Sequence, residues 1–559
     1  MPKLVKKTLR ELAVIAAALI LCPFAVCLAL YFSADLKEPG FSPSAGEAVV
    51  SDSLRLWKDN ALRLNDAGVW EMKISGSPFE RGEAIGKLAP DLLYHQEKSF
   101  ADKLFEIVPS RFYRKFLLCF ITIFNRRLGE GVPLEYRQEL KAMSAYCTDE
   151  FNEFGNPYER QMQYHSAHDI GHVMQDYMLV GCSAFAVWGG ESADSSLLIA
   201  RNFDFYMGDE FAENKLVLFE KPDSGYAYVS VTWPGMTGVL SGMNTEGLTV
   251  SINASKLETP GMSATPVSML AKRILQYASC IDEAWDIAGK YRTFVSESFL
   301  IGSARDGRAA VIEKTPSEMA LYDPAASDSS LERIICTNHY QSELFRDNPV
   351  NQENIRKSDS MERFRRIEEL LDSAGSVDVD SAVKILRDRN GVGGVPVGYC
   401  NELALNQLQA MHSVVFRPAD RKIWVSTSPW QCGPFICYSL DKVLDSDFSS
   451  EIQNLDERVD ADPFVQSEEF RNVLQYKLIQ KTITDAISEK AKLPDHLLEC
   501  FTELNPLYYN GYNICGNYYE SIGDRDKACK LWEKSLSLRM KPEERQVIAR
   551  KLERLDKKR

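Results

Sequence analysis

The chain has 559 residues, 45% of them hydrophobic and 26% charged, with a formal net charge of −14. That length exceeds one compact core and predicts two to four domains, and the composition is that of a folded protein. An acidic chain gives nucleic acid no basic surface to bind, so a nucleic-acid partner is excluded. Thirteen cysteines over this length are not the dense disulfide framework of a small secreted domain. No Cys/His spacing matches a zinc ribbon or finger, so no metal and no cofactor is expected.

Residues 1–11 carry Lys3, Lys6, Lys7 and Arg10 and precede LAVIAAALILCPFAVCLALYF, residues 12–32. This uncharged apolar run is long enough to cross a bilayer as a helix. The basic flank predicts a single-pass membrane protein with 1–11 cytoplasmic and the rest on the non-cytoplasmic side. A cleaved signal peptide is the alternative, with a usually shorter apolar core. Residues 33–50, rich in Ser, Pro, Gly and Ala, read as a linker. Residues 51–181 form a mostly helical N-terminal piece, and its apolar run FLLCFITIF, 116–124, is too short to span and reads as a buried helix.

At residue 182 the texture changes. AFAVW, LLIARNFDF, KLVLFEK, YAYVSVTW, GVLSGMN and GLTVSINA alternate with Gly, Asp, Asn and Pro turns, as strands do. Two helical segments follow, then strands around a hairpin turn at Asp306-Gly307, then helices near 360–373 and 378–389, then the hairpin MHSVVFRPADRKIWVSTS. Stacked layers of sheet and helix are expected over 182–450. Residues 451–559 return to helix. Within them Gly516, Tyr519, Ala528 and Trp532 of the stretch 512–542 fall at the spacing of one tetratricopeptide helix pair. A single copy cannot bury its own apolar face, so the tail packs on its neighbours and is a candidate surface for a protein partner.

The chemistry centres on LVGCSAFAVWGG, residues 179–190. Gly181 precedes Cys182 and gives the backbone freedom there. The strand opened by Cys182 turns at GGESADSS into a second strand ending in Arg201 and Asp204, a hairpin that returns both toward Cys182. If the chain is cut between Gly181 and Cys182, Cys182 gains an α-amine of pKa about 7.7–8.0, a base for its own thiol near neutral pH. The thiol itself can make the cut by attacking the Gly181 carbonyl. The competing reading of Cys182 is a small buried residue in a strand. YHSAHDIGHVMQDY, 164–177, places His168 and His172 four apart, with His165 and Asp169 nearby. No HExxH pattern accompanies them, so a polar helix ahead of the cleavage site is the plainer reading than a metal site.

From about residue 70 to about 430 the chain resembles the acyl-coenzyme A:isopenicillin N (6-aminopenicillanate) acyltransferase-like autoproteolytic acyltransferases and hydrolases. The resemblance is carried by SGSPFERGEAIGKLAPDLL, VGCSAFAV, ARNFDF, SGMNTEGLTVSINAS, IICTNHY, SDSMERFRRIEELL and MHSVVFRPADRKIWVS, in that order. It implies an α+β fold, the four-layer αββα sandwich of N-terminal-nucleophile hydrolases, here preceded by the transmembrane helix and followed by the tetratricopeptide-like tail. It implies Cys182 as nucleophile, with Arg201 and Asp204 beside it and its amino group. Asn253 falls at the oxyanion hole, Asn338 at a second active-site asparagine and Arg363 at an active-site arginine. Alone, the two asparagines read as strand-end turn caps and Arg363 as a helix-surface residue. The expected activity is hydrolysis of linear amides through a Cys182 thioester. The alternatives are an acyltransferase making amides from thioesters and a non-enzymatic, membrane-anchored envelope scaffold using the helical tail. The implied partner is a small amide or acyl substrate.

Overall fold

A computed structural model describes residues 25–51, 53–166, 169, 180–205, 208–258, 261, 264–446, 448 and 451–556. Its strands are β1 (Val49–Val50), β2 (Leu54–Trp57), β3 (Asn60–Leu64), β4 (Trp70–Gly76), β5 (Val180–Gly189), β6 (Ser195–Phe205), β7 (Leu216–Pro222), β8 (Tyr228–Thr232) and β9 (Ser241–Asn244). They continue with β10 (Leu248–Ala254), β11 (Glu297–Ser303), β12 (Arg308–Lys314), β13 (Met319–Tyr322), β14 (Arg333–Cys336), β15 (His412–Arg417), β16 (Lys422–Ser426) and β17 (Phe435–Ser439). Among the described residues they form one sheet in the order β1-β2-β3-β4-β7-β8-β9-β10-β11-β12-β13 and a second in the order β14-β5-β6-β15-β16-β17.

The alternation of side chains along each strand builds the layers. On β5, Ala184 and Ala186 face the other sheet and pack with Val217, Phe219, Val229, Leu300 and Val311. The intervening Phe185 and Val187 face outward, against Ile367, Leu371, Val383 and Leu386. Those last four lie on the helices Ser360–Ala374 and Val379–Leu386. The outer face of the large sheet presents Val250, Ile252, Phe299, Ile301 and Ile312 to the helices Val267–Tyr277 and Ile281–Lys290. The layers are therefore helix, sheet, sheet, helix, the expected αββα arrangement.

In the stretch read as mostly helical, β2, β3 and β4 stand ahead of the helices, and β1 lies in the segment read as a linker. β4 runs parallel to β7 over seven paired positions, from Trp70 opposite Leu216 to Gly76 opposite Pro222, so this piece extends the large sheet. The helices after it, including Pro78–Leu88 and Leu134–Ser144, cover β3, β4 and β7 through Leu62, Met72, Ile74 and Leu218. The tail has a separate core. In it Gly516 of the helix Tyr509–Ser521 lies so close to Trp532 of the helix Arg525–Leu536 that a Cβ there would clash with the indole Nε1.

Two expectations need correction. No helix among the described residues is long and apolar enough to cross a membrane. The transmembrane helix at 12–32 is therefore not upheld, and neither are the single-pass localisation and the membrane contact that followed from it. Residues 1–24 lie outside the described residues. The second correction concerns 116–124. The helix Arg111–Phe124 is formed, but none of its residues is buried. Phe112, Phe116 and Phe120 are exposed, and Phe124 makes an edge contact with Phe294 at 5.7 Å. An apolar run short enough for a core helix does not specify that anything covers it.

Candidate functional site

Strand pairing assembles the site. β5 and β6 are antiparallel, with Gly181 opposite Asp204, Cys182 opposite Phe203 and Ala184 opposite Arg201. β10 lies in the facing sheet and ends at Asn253 and Ala254. The segment after β14 carries Thr337, Asn338 and His339, and the first turn of the helix Ser360–Ala374 supplies Ser360 and Arg363. Six predicted positions, Cys182, Arg201, Asp204, Asn253, Asn338 and Arg363, thus come from five separate parts of the chain and meet at one end of the two sheets. All but Asn338 are buried there.

The Gly181–Cys182 peptide unit lies among these residues. Its N–H, on Cys182, donates to Asn338 Oδ1 at 3.1 Å. Asn338 Oδ1 also accepts from Arg363 Nη2 at 2.7 Å, and Asn338 Nδ2 donates to the Ala254 carbonyl at 2.8 Å. Arg363 Nη1 donates to the Cys182 carbonyl at 2.5 Å and to Ser183 Oγ at 2.9 Å, while Nε donates to Asp359 Oδ2 at 2.9 Å. One guanidinium therefore grips Cys182 through its carbonyl and, by way of Asn338, through its amide, using the fork of donors that only arginine has.

Arg201 lies below the thiol. Its Nη2 is 3.5 Å from Cys182 Sγ, and the guanidinium also donates to the carbonyls of Leu240 and Ile252 and to Ser241 Oγ. Burial pushes the Cys182 thiol up from its ordinary value, with Asp204 and Glu297 acting the same way; Arg201 opposes them. Burial at this position therefore works against the thiolate form of Cys182.

Asp204 is fully buried, and among the described residues neither carboxylate oxygen has a hydrogen-bond partner. Burial pushes its carboxyl up to about 8, against the pull of Arg363 and Arg201. A buried acid without donors is costly and is rare in stable interiors. Asn253 differs from its implied role in the uncut chain. Its Nδ2 donates to the Cys336 carbonyl at 2.9 Å, with the Thr337 carbonyl at 3.4 Å, so its donors are engaged by backbone. Its Oδ1 is the atom left without a partner among the described residues.

Several site residues escaped the reading of the sequence. Ser360 Oγ accepts from the Asn338 N–H at 2.8 Å and lies 2.8 Å from His339 Nδ1 and 2.9 Å from Thr337 Oγ1. It sits three residues before Arg363 on the same helix, a spacing that places both on one face. Asp359, four residues before Arg363, carried the same signal. Gln407 stands on the Gly181 side of the bond and had no local signal. Of the histidine cluster, His165 is buried, and its Nε2 faces the Thr237 N–H at 2.9 Å. Burial lowers it to about 4, so it packs as a neutral ring. Asp169 Oδ1 accepts from the Val267 N–H at 3.1 Å. His168 and His172 lie outside the described residues.

Residues 190–428 match the family model described as acyl-coenzyme A:6-aminopenicillanic acid acyl-transferase. The resemblance drawn from the motifs is thereby shown for that stretch. The match includes Arg201, Asp204, Asn253, Asn338 and Arg363 and begins after Cys182. An uncharacterized protein of Archaeoglobus fulgidus is 23% identical over 353 residues, 57% of this chain and 58% of its own length, so the chain spans little more than half of that relative. Among solved structures, the Caenorhabditis elegans ortholog of N-acylethanolamine-hydrolyzing acid amidase is 17% identical with a TM-score of 0.31, over 43% of this chain and 93% of its own. A mutant of the conjugated bile acid hydrolase from Clostridium perfringens is 14% identical with a TM-score of 0.28, over 44% of this chain and 89% of its own.

Proposed function

We propose that this chain, similar over residues 190–428 to the acyl-coenzyme A:6-aminopenicillanic acid acyl-transferase family, cuts itself before Cys182 and then acts on linear amides through that residue. The observation that carries the reading is the grip on Cys182. Its amide is bound by Asn338, its carbonyl by Arg363, and its thiol lies beside the Arg201 cation.

In the first step the Cys182 sulfur attacks the Gly181 carbonyl carbon. The C–N bond breaks, the nitrogen takes up the thiol proton, and a thioester joins Gly181 to Cys182 Sγ. Water then cleaves the thioester, leaving a Gly181 carboxylate, a free thiol and the α-amine of Cys182. That amine replaces the amide held by Asn338 and stands near neutral pH as a base for the thiol. Asp204, opposite Gly181 and without donors among the described residues, supports the new ammonium as a counter-charge. With substrate, the thiol attacks an amide carbonyl and the α-ammonium gives its proton to the departing amine. Water releases the acyl group from the resulting thioester. Asn253 serves as oxyanion donor in this cycle by turning one Nδ2 hydrogen from the Cys336 carbonyl to the developing charge.

Passing the thioester to an amine instead of water gives the transferase reading, which the description of the matching family favours. An added amine acceptor separates the two: hydrolysis leaves free acid, transfer leaves a new amide.

The test is the size of the purified chain on a denaturing gel, with sequencing of any fragment's N-terminus, beside Cys182→Ala. A wild-type fragment beginning CSAFAV and a whole mutant are expected. Whole chains in both, after complete folding, would remove the α-amine and the amidase reading with it.

A further inference from the structure

The residue that stands on the other side of the scissile bond is Gln407, which is 3% exposed. Its Oε1 accepts from Gln409 Nε2 at 2.6 Å, which fixes the end of the amide that faces the site. Its Nε2 has no hydrogen-bond partner among the described residues. That nitrogen lies 3.1 Å from the position a Cβ on Gly181 would occupy, with Arg363 Nη2 at 3.7 Å. The loop is held in place. Asn202 Nδ2, on the strand that carries Arg201 and Asp204, donates to the carbonyls of Leu386 and Leu405 at 2.9 Å each. The Leu408 N–H donates to Asn406 Oδ1 at 3.1 Å.

A buried amide donor with no acceptor is costly to keep. It stands beside Gly181, whose Cα defines the acyl group in the proposed self-cleavage. In self-cleavage Gly181 is the acyl donor, and its Cα is the acyl α-carbon. A substrate attacked by the same sulfur presents its own α-carbon at that place. A substituent there meets Gln407 Nε2 at a distance ordinary for N–H···O and tighter than a methyl group accepts without displacement.

We propose that Gln407 is a specificity-determining residue that reads an oxygen on the acyl α-carbon. The favoured substrates of the Cys182 site are amides of 2-oxy acids, hydroxy or alkoxy, over those branched by a 2-methyl group. This rests on the amidase reading. Gln407 touches the acyl group and takes no part in the bond changes, which remain those of Cys182.

The experiment compares kcat/KM for four amides of one amine with equal acyl length: 2-hydroxyacyl in each of its two configurations, 2-methylacyl and unsubstituted. Wild type is expected to prefer one 2-hydroxy configuration over 2-methyl by at least roughly tenfold, and Gln407→Met to bring that ratio near unity. A wild-type ratio near unity, or an unchanged ratio in Gln407→Met that still yields the CSAFAV fragment, overturns the proposal. A second arm needs no substrate. Gly181→Ala places a methyl against Gln407 and is expected to slow self-cleavage, and Gly181→Ala with Gln407→Ala to restore it. A double variant as slow as Gly181→Ala overturns the placement of Gln407 at the acyl α-carbon. Self-cleavage and amide turnover without an α-oxygen preference would sink this inference alone. No self-cleavage and no turnover by wild type would sink the amidase reading and this inference together.

Discussion

Two buried charge clusters in this molecule use the same side chains and differ in how they are closed. The first ties the N-terminal piece to the layers behind it. Arg81 meets Glu139 and Glu220 at 2.8 Å each, and Lys272 meets Glu139 at 2.7 Å and Glu220 at 3.3 Å. Two cations face two anions, so charge cancels within one contact shell. The second cluster surrounds Cys182. There Arg201 and Arg363 spend most of their donors on backbone carbonyls and neutral side chains, while Asp204 receives none from the described residues. The first arrangement suits a fixed joint. The second leaves the Asp204 carboxyl and the Asn253 amide oxygen without a hydrogen-bond partner among the described residues. Equal burial therefore says little about role; incomplete pairing says more.

The largest effect should come from Arg363→Met. It removes the ties to the Cys182 carbonyl, Ser183, Asn338 and Asp359 together, and self-cleavage, followed as fragment over time, should slow by roughly 10²–10³-fold. Arg81→Met tests the other side. It leaves Glu139 and Glu220 sharing Lys272 and should cost about 3–5 kcal/mol in denaturant unfolding, while chains that still fold cut themselves at the wild-type rate. If Arg81→Met slows self-cleavage as much as Arg363→Met does, the contrast between joint and site collapses.

A further effect should appear in the pH dependence of the Cys182→Ala chain. Asp204 holds its proton up to about 8 when folded, against an ordinary value of 3.8. Between those values the folded state binds more protons than the unfolded state. The stability linked to this group is full below 3.8 and is lost as pH rises toward 8. Cys182→Ala should therefore lose stability over that span, and Cys182→Ala with Asp204→Asn should lose less, by denaturant titration at each pH. Equal slopes would show that Asp204 is not held as an acid. The smallest effect belongs to Ser360→Ala, which removes the acceptor of the Asn338 N–H; a stability loss of about 1–2 kcal/mol is expected, with self-cleavage slowed less than in Arg363→Met.

How much of this was legible in the sequence depends on the range of the interaction. The strands of 182–450 could be read because alternation and turn residues are local signals, and the Asp306-Gly307 hairpin stands where it was expected, with Gly307 at φ +65°. Cys182, Arg201 and Asp204 could be grouped because one hairpin joins them. Asn253, Asn338 and Arg363 had no such tie; the resemblance supplied them. β1 to β4 were missed because short strands ahead of helices complete a sheet whose partner, β7, lies more than a hundred residues on.

By itself, then, the sequence determined the local elements, the cysteine that opens a strand after a glycine, and the order of the motifs. Only the tertiary structure decided which donors Asn253 and Arg363 have left to give, that Asp204 stands without a partner among the described residues, that Gln407 faces Gly181, and that the helix at 111–124 has no fully buried residue. The reason is physical. Periodicity records which face of an element is apolar, whereas the pairing and exposure of a side chain depend on atoms brought to it from distant parts of the chain.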